Sequence, residues 1–141
     1  MRIMLDTNVL LSAVIFRSTS MQNMMLRIME DHRLVLSSYV IDECYEVVRR
    51  KKSALVPALD RLFESIPFEM VHTPQTLPRH DWFTIRDKDD EKVLYSAISA
   101  DVDILITGDK DFCDIAIEKP EILTPGHTKL NQKSLVPSFL K

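Results

Sequence analysis

Short apolar runs alternate along the chain with longer segments in which apolar residues recur at the spacing of an α-helix. The apolar runs predict strands at residues 2–5, 34–38, 68–73, 103–107 and 121–125. The helical spacing predicts helices at residues 8–16, 21–31, 39–51, 55–66 and 90–101. Ser38 stands before the third of these helices and belongs to the residue types that cap a helix N-terminus, and Pro57 falls in the first turn of the fourth.

Strands that alternate with helices are typical of α/β proteins, in which crossover helices connect parallel strands. We therefore expect a three-layer α/β/α sandwich with a central, mainly parallel β-sheet. The alternation covers residues 1–125, which we interpret as one domain. Residues 126–141 show no clear pattern, and we interpret them as a C-terminal tail whose role the sequence leaves open.

Composition is that of a soluble globular protein. Of the 141 residues, 45% are hydrophobic and 28% are charged, and no apolar run approaches the roughly 20 residues that a membrane span needs. Asp6 interrupts the apolar start and no small-residue cleavage site follows, so we expect no signal peptide, no membrane association and a cytoplasmic location. Cys44 and Cys113 form no CxxC pair and no zinc spacing, and we expect them to pack in the core.

Carboxylates follow two of the predicted strands at the point where each strand ends. The first strand runs directly into Asp6, and the strand at 103–107 is followed by Asp109 and Asp111. Gly108 stands at this second junction, where its lack of a Cβ would permit a constrained turn. Because ligands bind at the carboxyl ends of parallel strands, Asp6 and Asp109 should face each other if their strands are neighbours. Helix capping is the alternative explanation for either aspartate alone.

Two further groups of acids fall where they can join this edge of the sheet. Glu43 borders the apolar stripe of its predicted helix, where an unpaired carboxylate is costly. Asp87, Asp89 and Asp90 lie at the start of the helix that precedes the strand at 103–107. Acids at a helix N-terminus are also ordinary partners of the helix dipole, so their position alone does not assign them to a site.

A cation is required if Asp6, Glu43, Asp90 and Asp109 gather at one end of the sheet, because their charges repel one another and could not otherwise all stay ionised. No histidine or cysteine stands at ligand spacing, so the ligands would all be oxygens. Such a donor set favours Mg²⁺ or Mn²⁺ over zinc. A site of this kind is suited to orienting a phosphodiester, activating water and stabilising the leaving oxygen.

Several segments together resemble the PIN domain family, specifically its VapC-like toxin nucleases. They are "MLDTNVLLSA" at the start, a glutamate in the helix after the second strand, "RDKDDEKVLYSAISADVDILITGDKDF" and "ILTP". The resemblance implies a metal-dependent endoribonuclease with an acidic, metal-binding set made of Asp6, Glu43, Asp90 and Asp109, and with Asp111 as a frequent fifth member. It also implies supporting roles for Thr7, Asn8 and Thr107, a homodimer, and inhibition by a small antitoxin protein.

The third acid of this set is the position that the sequence leaves open. Relatives often carry proline and a small or amide residue around it, where this chain has Lys88 and Glu91. The resemblance therefore assigns the role to Asp90 while Asp87 and Asp89 remain alternatives. The number of metal ions, one or two, is open as well.

The net charge of −3 argues against a generally basic nucleic-acid surface. Cations that hold an RNA substrate should therefore ring the acidic pocket, and we expect Arg86 and Lys110 to contribute, with Arg17 and the run "RRKK" at 49–52 as further candidates. That run has an alternative interpretation as a solvated helix end, where cations favour the dipole. No base-reading motif is present, so the sequence names no RNA target.

Three alternatives compete with a nuclease. A phosphorylated receiver domain needs an acidic pair after the first strand and an aspartate after the third, and this chain has neither. A haloacid-dehalogenase-type phosphatase needs a second aspartate where this chain has Asn8. A PIN-fold RNA-binding or scaffold protein without cleavage activity stays open, although buried charge is not retained for packing alone.

Overall fold

The computed structural model describes residues 1–75, 88–112, 115 and 117–126. Arg86, Asp87, Cys113 and the tail from residue 127 lie outside these ranges, so the predictions made for them stay predictions. The described strands are β1 (Arg2–Leu5), β2 (Arg33–Ser37), β3 (Glu69–Val71), β4 (Ile104–Ile106) and β5 (Glu121–Leu123). The described helices are α1 (Thr7–Val14), α2 (Thr19–Asp31), α3 (Ser38–Lys51), α4 (Val56–Ser65) and α5 (Lys88–Ser99), with short 3₁₀ turns at Ser53–Leu55 and Lys110–Phe112.

All five strands belong to one sheet in the order β3-β2-β1-β4-β5, and every neighbouring pair is parallel. The register between β1 and β4 sets Ile3 beside Ile104 and Leu5 beside Ile106. The two strands that the sequence predicts to end in aspartates are therefore direct neighbours. The predicted α/β architecture with a parallel central sheet is confirmed.

The direction of winding reverses at the centre of this sheet. From β1 the chain moves outward through β2 to β3, and it then crosses to β4 and moves outward to β5 on the other side. Because crossovers between parallel strands are right-handed, the two directions put α1 to α4 over one face and α5 over the other. The carboxyl ends of β1 and β4 thus form a topological switch point, where α/β proteins bind their ligands.

Near-continuous apolar runs in β1, β2 and β4 reflect coverage of these strands on both faces. All of β4 is buried, and so are residues 3–5 and 34–37 of the other two strands. On α3, Val40, Cys44 and Val48 form the buried stripe, as the helical spacing predicts. Burial raises the pKa of the Cys44 thiol and keeps it protonated. None of the helices in the described ranges has the combination of length and apolar character that spanning a bilayer demands.

Two local predictions about turns and caps are wrong in detail. Ser37, not Ser38, caps α3, because its hydroxyl accepts the backbone N–H of Val40 at 3.2 Å. The strand ends one residue earlier than the apolar pattern suggests, which shifts the cap with it. Gly108 has no positive φ, and nothing lies within 4 Å of a Cβ built on it. The turn after β4 therefore does not require glycine.

An ion-pair cluster closes the amino ends of the strands, opposite the switch point. The Arg2 guanidinium donates to both carboxylate oxygens of Glu69 on β3, at 3.1 and 2.8 Å, and so reaches across β2. Its Nη1 also donates to the carbonyl of Ala100, and its backbone N–H donates to the Asp103 carboxylate at 2.7 Å. Arg2 thereby ties β1 to β3 and to the segment that enters β4.

Candidate metal centre

Asp6 occupies the first position after β1 and caps α1. One carboxylate oxygen accepts the backbone N–H of Thr7 at 2.7 Å, and the other accepts the hydroxyl of Thr107 at 2.7 Å. Its backbone N–H donates to the carbonyl of Ile106 at 3.0 Å, which extends the β1–β4 ladder by one residue. The residue is only 4% exposed. Asp6 is therefore a helix cap and a buried carboxylate at the switch point at once.

Thr107 joins the ends of β1 and β4. Its buried hydroxyl donates to Asp6 and accepts the backbone N–H of Asp109 at 3.1 Å. The Asp109 carboxylate in turn accepts the backbone N–H of Asp111 at 2.9 Å, which orders the start of the 3₁₀ turn. One threonine thus fixes the positions of two acids that are far apart in sequence.

Three half-buried acids come together beside this junction. One carboxylate oxygen from each of Asp90, Asp109 and Asp111 lies within 4.8 Å of the others. Oxygens that share one Mg²⁺ at about 2.1 Å lie within about 4.2 Å of each other. Small side-chain rotations therefore suffice to bring these acids onto a common ion. Asp6 and Glu43 are not members of this group of three.

Glu43 extends from α3 toward the same region. It is half-buried, whereas its neighbours Asp42 and Glu46 are exposed, as the helical spacing predicts. The hydroxyl of Tyr39, one turn earlier on α3, donates to the Glu43 carboxylate. Burial and this hydrogen bond raise the pKa of Tyr39, so the phenol remains a donor. Tyr39 therefore fixes the orientation of Glu43.

The charges at this end of the sheet act on one another. Burial raises the pKa of Asp6 above its ordinary value, hydrogen bonds from Thr107 and Thr7 oppose the rise, and the charges of Glu43 and Asp109 add to it. Both carboxylates are thus close enough to Asp6 for their repulsion to matter. A cation among these groups would reverse the effect and favour the ionised form.

The residues present fit a hard divalent cation. The donors gathered here are carboxylate oxygens, which suit Mg²⁺ and Mn²⁺ and are poor zinc ligands without histidine or cysteine. The buried hydroxyl of Thr7 has no hydrogen-bond partner among the described residues, and it lies beside Asp6. Water on an ion held by Asp6 would satisfy such a hydroxyl.

The remaining predicted residues differ in exposure. Asn8, in the first turn of α1, and Lys110, in the 3₁₀ turn, are both exposed. Asp89 is exposed as well and pairs with Lys92 at 3.4 Å, whereas Asp90 is half-buried within the group of three acids. Arg86 lies outside the described residues, so its predicted contact with RNA stays a prediction.

Tyr39 and Lys92 border the site and were not predicted from the sequence. The Lys92 ammonium lies 5.1 Å from the centre of the Tyr39 ring, over its face. Tyr39 stands four residues before Glu43, the spacing at which helical side chains meet, so the sequence did contain a signal for that contact. The Lys92 contact joins α5 to α3, and no spacing within one helix indicates it.

Comparisons with known proteins address the family and the fold. A family model for the PIN domain matches residues 2–111. A search of curated proteins finds no match. Among solved structures, a chain in the crystal structure of VapBC2 from Rickettsia felis bound to a DNA fragment from their promoter is similar to this one, with a TM-score of 0.66 and 18% identity. The match covers 88% of this chain and 98% of that chain. At that identity, the similarity concerns the fold.

Proposed function

Because this chain belongs to the PIN domain family, we propose that it is a metal-dependent endoribonuclease that hydrolyses RNA phosphodiester bonds. The observation that carries the proposal is the group formed by Asp90, Asp109 and Asp111 beside the buried Asp6. Acids of this kind at a topological switch point are suited to a hard cation and to a phosphate ligand bound through it.

The positions of the side chains support the roles that we propose for them. Asp6, Glu43, Asp90 and Asp109 form the catalytic set, and Asp111 joins them in holding the ion. A bound Mg²⁺ or Mn²⁺ would supply charge stabilisation for the reacting phosphate and orient the attacking water. Thr107 holds Asp6 and Asp109 in register, Thr7 fixes the other oxygen of Asp6, and Asn8 stands exposed at the rim.

The chain's biological setting is part of the proposal. The similar fold in VapBC2 from Rickettsia felis supports a toxin component of a toxin-antitoxin system, with a cognate antitoxin as partner. We propose that the protein acts in the cytoplasm as a homodimer. An antitoxin that carries a cation on an extended segment would inhibit by charge complementarity with the acids.

The direct test is cleavage of a panel of single-stranded and stem-loop RNAs with Mg²⁺, with Mn²⁺ and after exhaustive chelation. We expect internal cleavage only with metal. Attack by water leaves a 5′ phosphate and a 3′ hydroxyl, whereas attack by the RNA 2′-hydroxyl leaves a cyclic phosphate, so end analysis identifies the reaction. Equal cleavage in EDTA, or cyclic phosphate products, would exclude the proposed chemistry.

A matched pair of variants on α3 separates catalysis from general charge effects. Glu43→Gln removes a half-buried carboxylate that faces the site, and Asp42→Asn removes an exposed one beside it. We expect Glu43→Gln to cleave at least 100-fold more slowly, which corresponds to a loss of about 2.7 kcal/mol in transition-state stabilisation. Asp42→Asn should cleave like the unmodified protein. RNA binding without any cleavage would instead identify a PIN-fold binding or scaffold protein.

A further inference from the structure

A groove runs between α1 and α3 on the surface beside the acids. It has a volume of about 420 Å³. Asn8, Ser12 and Phe16 line it from α1 and the residues just after it, and Val47, Lys51 and Lys52 line it from the end of α3. None of the residues in the acidic set itself lines this groove.

One end of the groove lies near Asp6 and Glu43, as the positions of its lining residues on α1 and α3 indicate. Asp6 caps α1, and Asn8 follows it in the first turn, so the first lining residue stands next to the site. On α3, Glu43, Val47 and Lys51 recur every four residues and lie on one face of the helix. At 1.5 Å per residue, Lys51 is about 12 Å along the helix axis from Glu43. The groove therefore leads away from the acids over about 12 Å.

The far end of the groove combines an aromatic ring with two cations. Phe16 is 74% exposed, the largest exposed fraction among the large hydrophobic residues that the structure describes. Lys51 and Lys52 are exposed, and neither forms an ion pair with another described residue. An exposed aromatic ring beside uncompensated cations is the chemistry that proteins use to hold single-stranded nucleic acid, where bases stack on rings and phosphates meet lysines.

We propose that this groove is the track for single-stranded RNA on one side of the scissile bond, with Phe16 stacked on a base and Lys51 and Lys52 on phosphates. The inference rests on the proposed nuclease function. A stacked strand advances about 3.4 Å per nucleotide, so about 12 Å corresponds to three or four nucleotides between Glu43 and Lys51. The lysines lie at one end of the groove and the acids lie near the other, so the bound strand would run from the lysines to the scissile bond at the acids.

Charge favours RNA over a protein partner as the occupant. The described residues that line the groove include two lysines and no acid, and the others are uncharged, with Leu11 and Ile15 among the apolar ones. A polyanion neutralises both lysines, whereas an apolar protein surface on Phe16 would have to desolvate them. A protein partner or a second copy of the chain is the competing occupant and is separated by the test below.

The test measures binding of a labelled 12-nucleotide single-stranded RNA in the presence of Mg²⁺ by fluorescence anisotropy, in an Asp109→Asn background that prevents cleavage. Phe16→Ala should weaken binding roughly 5- to 150-fold, the range for loss of one stacked base. Phe16→Trp should bind RNA as tightly as Phe16 does, because tryptophan keeps an aromatic face. Phe16→Leu should behave like Phe16→Ala, because leucine is apolar but has no π face. Leu26→Ala is the control, since Leu26 is also exposed but lies on α2.

The lysines are tested by salt dependence. The association constant for RNA falls as salt rises, so a plot of its logarithm against log salt has a negative slope. Lys51→Ala and Lys52→Ala should each make this slope shallower by about 0.7, and the double variant should make it shallower by about 1.4. Arg33→Ala is the control for loss of one cation, because Arg33 is exposed at the amino end of β2, away from the acids. In the cleaving protein, the same groove variants should raise KM for RNA and leave kcat within twofold.

The outcomes separate the groove from the nuclease function. If the unmodified protein cleaves RNA only with metal, and the groove variants bind RNA as tightly as their Asp109→Asn background, the groove proposal is wrong and the nuclease proposal stands. RNA binding that depends on Phe16 and the lysines, without any cleavage, would support the groove and overturn the nuclease. An altered oligomeric state in Phe16→Ala and Phe16→Leu with unchanged RNA binding would assign the groove to a protein partner. Absence of RNA binding in the Asp109→Asn background, together with absence of cleavage by the unmodified protein, would overturn both.

Discussion

At the residue scale, Asp6 carries two roles that a single substitution can separate. It caps α1 through the N–H of Thr7, and its burial near Glu43 and Asp109 raises its pKa. Asparagine retains the cap, because its carbonyl accepts the N–H of Thr7 while its amide donates to the Thr107 hydroxyl. The charge is lost and the local fold is kept.

We therefore expect Asp6→Asn to abolish cleavage while the metal-free protein keeps or gains stability. The folded-state pKa of Asp6 is raised, so protonated Asp6 contributes stability that is present below its ordinary pKa of 3.8 and is lost as the pH rises through the raised pKa. The free energy of unfolding in EDTA, measured with urea from pH 4 to pH 7, should fall less with pH in Asp6→Asn. A variant that melts well below the unmodified protein would mean that the carboxylate serves the cap alone.

Tyr39 holds Glu43, and its hydroxyl can be removed without changing its ring. We expect Tyr39→Phe to lower the cleavage rate roughly tenfold, the effect of about 1.4 kcal/mol in transition-state stabilisation. Tyr45→Phe on the same helix is the control, because the Tyr45 hydroxyl donates to Asp60 and lies away from the acids. That contact raises the pKa of Tyr45 to about 12. Equal rate losses in both variants would show that Tyr39 acts on the helix and not on Glu43.

At the scale of elements, α3 is positioned by a cap that lies one residue before the predicted one. Ser37 is buried, and its hydroxyl satisfies the N–H of Val40 at 3.2 Å. Ser38 instead accepts the backbone N–H of Thr73 at 3.0 Å, which ties the start of α3 to the segment after β3. Ser37 thus caps the helix that carries Glu43, whereas Ser38 links the start of this helix to the segment after β3.

We expect Ser37→Ala to lower the free energy of unfolding by about 1 kcal/mol, the usual effect of losing an N-cap. Ser18→Ala at the start of α2 should have a smaller effect, because that cap is longer, at 3.4 Å, and only half-buried. Chemical denaturation of both variants at constant pH measures the difference. A larger loss in Ser18→Ala would contradict this ranking of the caps.

The order and type of the helices and strands, and part of the candidate site, could be predicted from the sequence. Strand β1 was predicted at its observed bounds, because a buried parallel strand is apolar on both faces and ends where a polar residue begins. The proximity of Asp6 and Asp109 followed from the rule that parallel strands present their carboxyl ends at one edge. The hydroxyl of Thr107 that joins them, and the cation of Lys92 over Tyr39, depend on contacts between separate elements. Propensity and spacing carry no information about such contacts.

At the scale of the whole molecule, the two ends of the sheet differ in their balance of charge. At the amino ends, the Arg2 guanidinium pairs with Glu69 and the Arg2 backbone N–H donates to Asp103, whereas acids gather at the carboxyl ends. Hydrogen bonds from Arg2 lower the pKa of Glu69. The Arg2–Glu69 pair links β1 to β3 across β2, and the proposed metal site lies at the opposite ends of the strands.

We expect Glu69→Gln to lower the free energy of unfolding at pH 7 by less than about 1 kcal/mol, because the pair is about one-third exposed and solvent screens it. A lowered folded-state pKa contributes stability that is present above the ordinary pKa of 4.5 and is lost as the pH falls through the lowered value. The difference from the unmodified protein should therefore shrink in acid. A difference for Glu69→Gln that stays constant over this pH range would exclude the ion pair as its cause.

The position of β4 between β1 and β5 has a consequence for the nascent chain during synthesis. Synthesis proceeds from the N-terminus, so β1, β2 and β3 can pair first while the other edge of β1 stays open. A chain at that stage carries Asp6 and Glu43, but Asp90, Asp109 and Asp111 have not yet been added. The proposed metal site is complete only when β4 pairs with β1. A ribosome making the proposed nuclease is thus not exposed to its activity until nearly the whole domain has been translated.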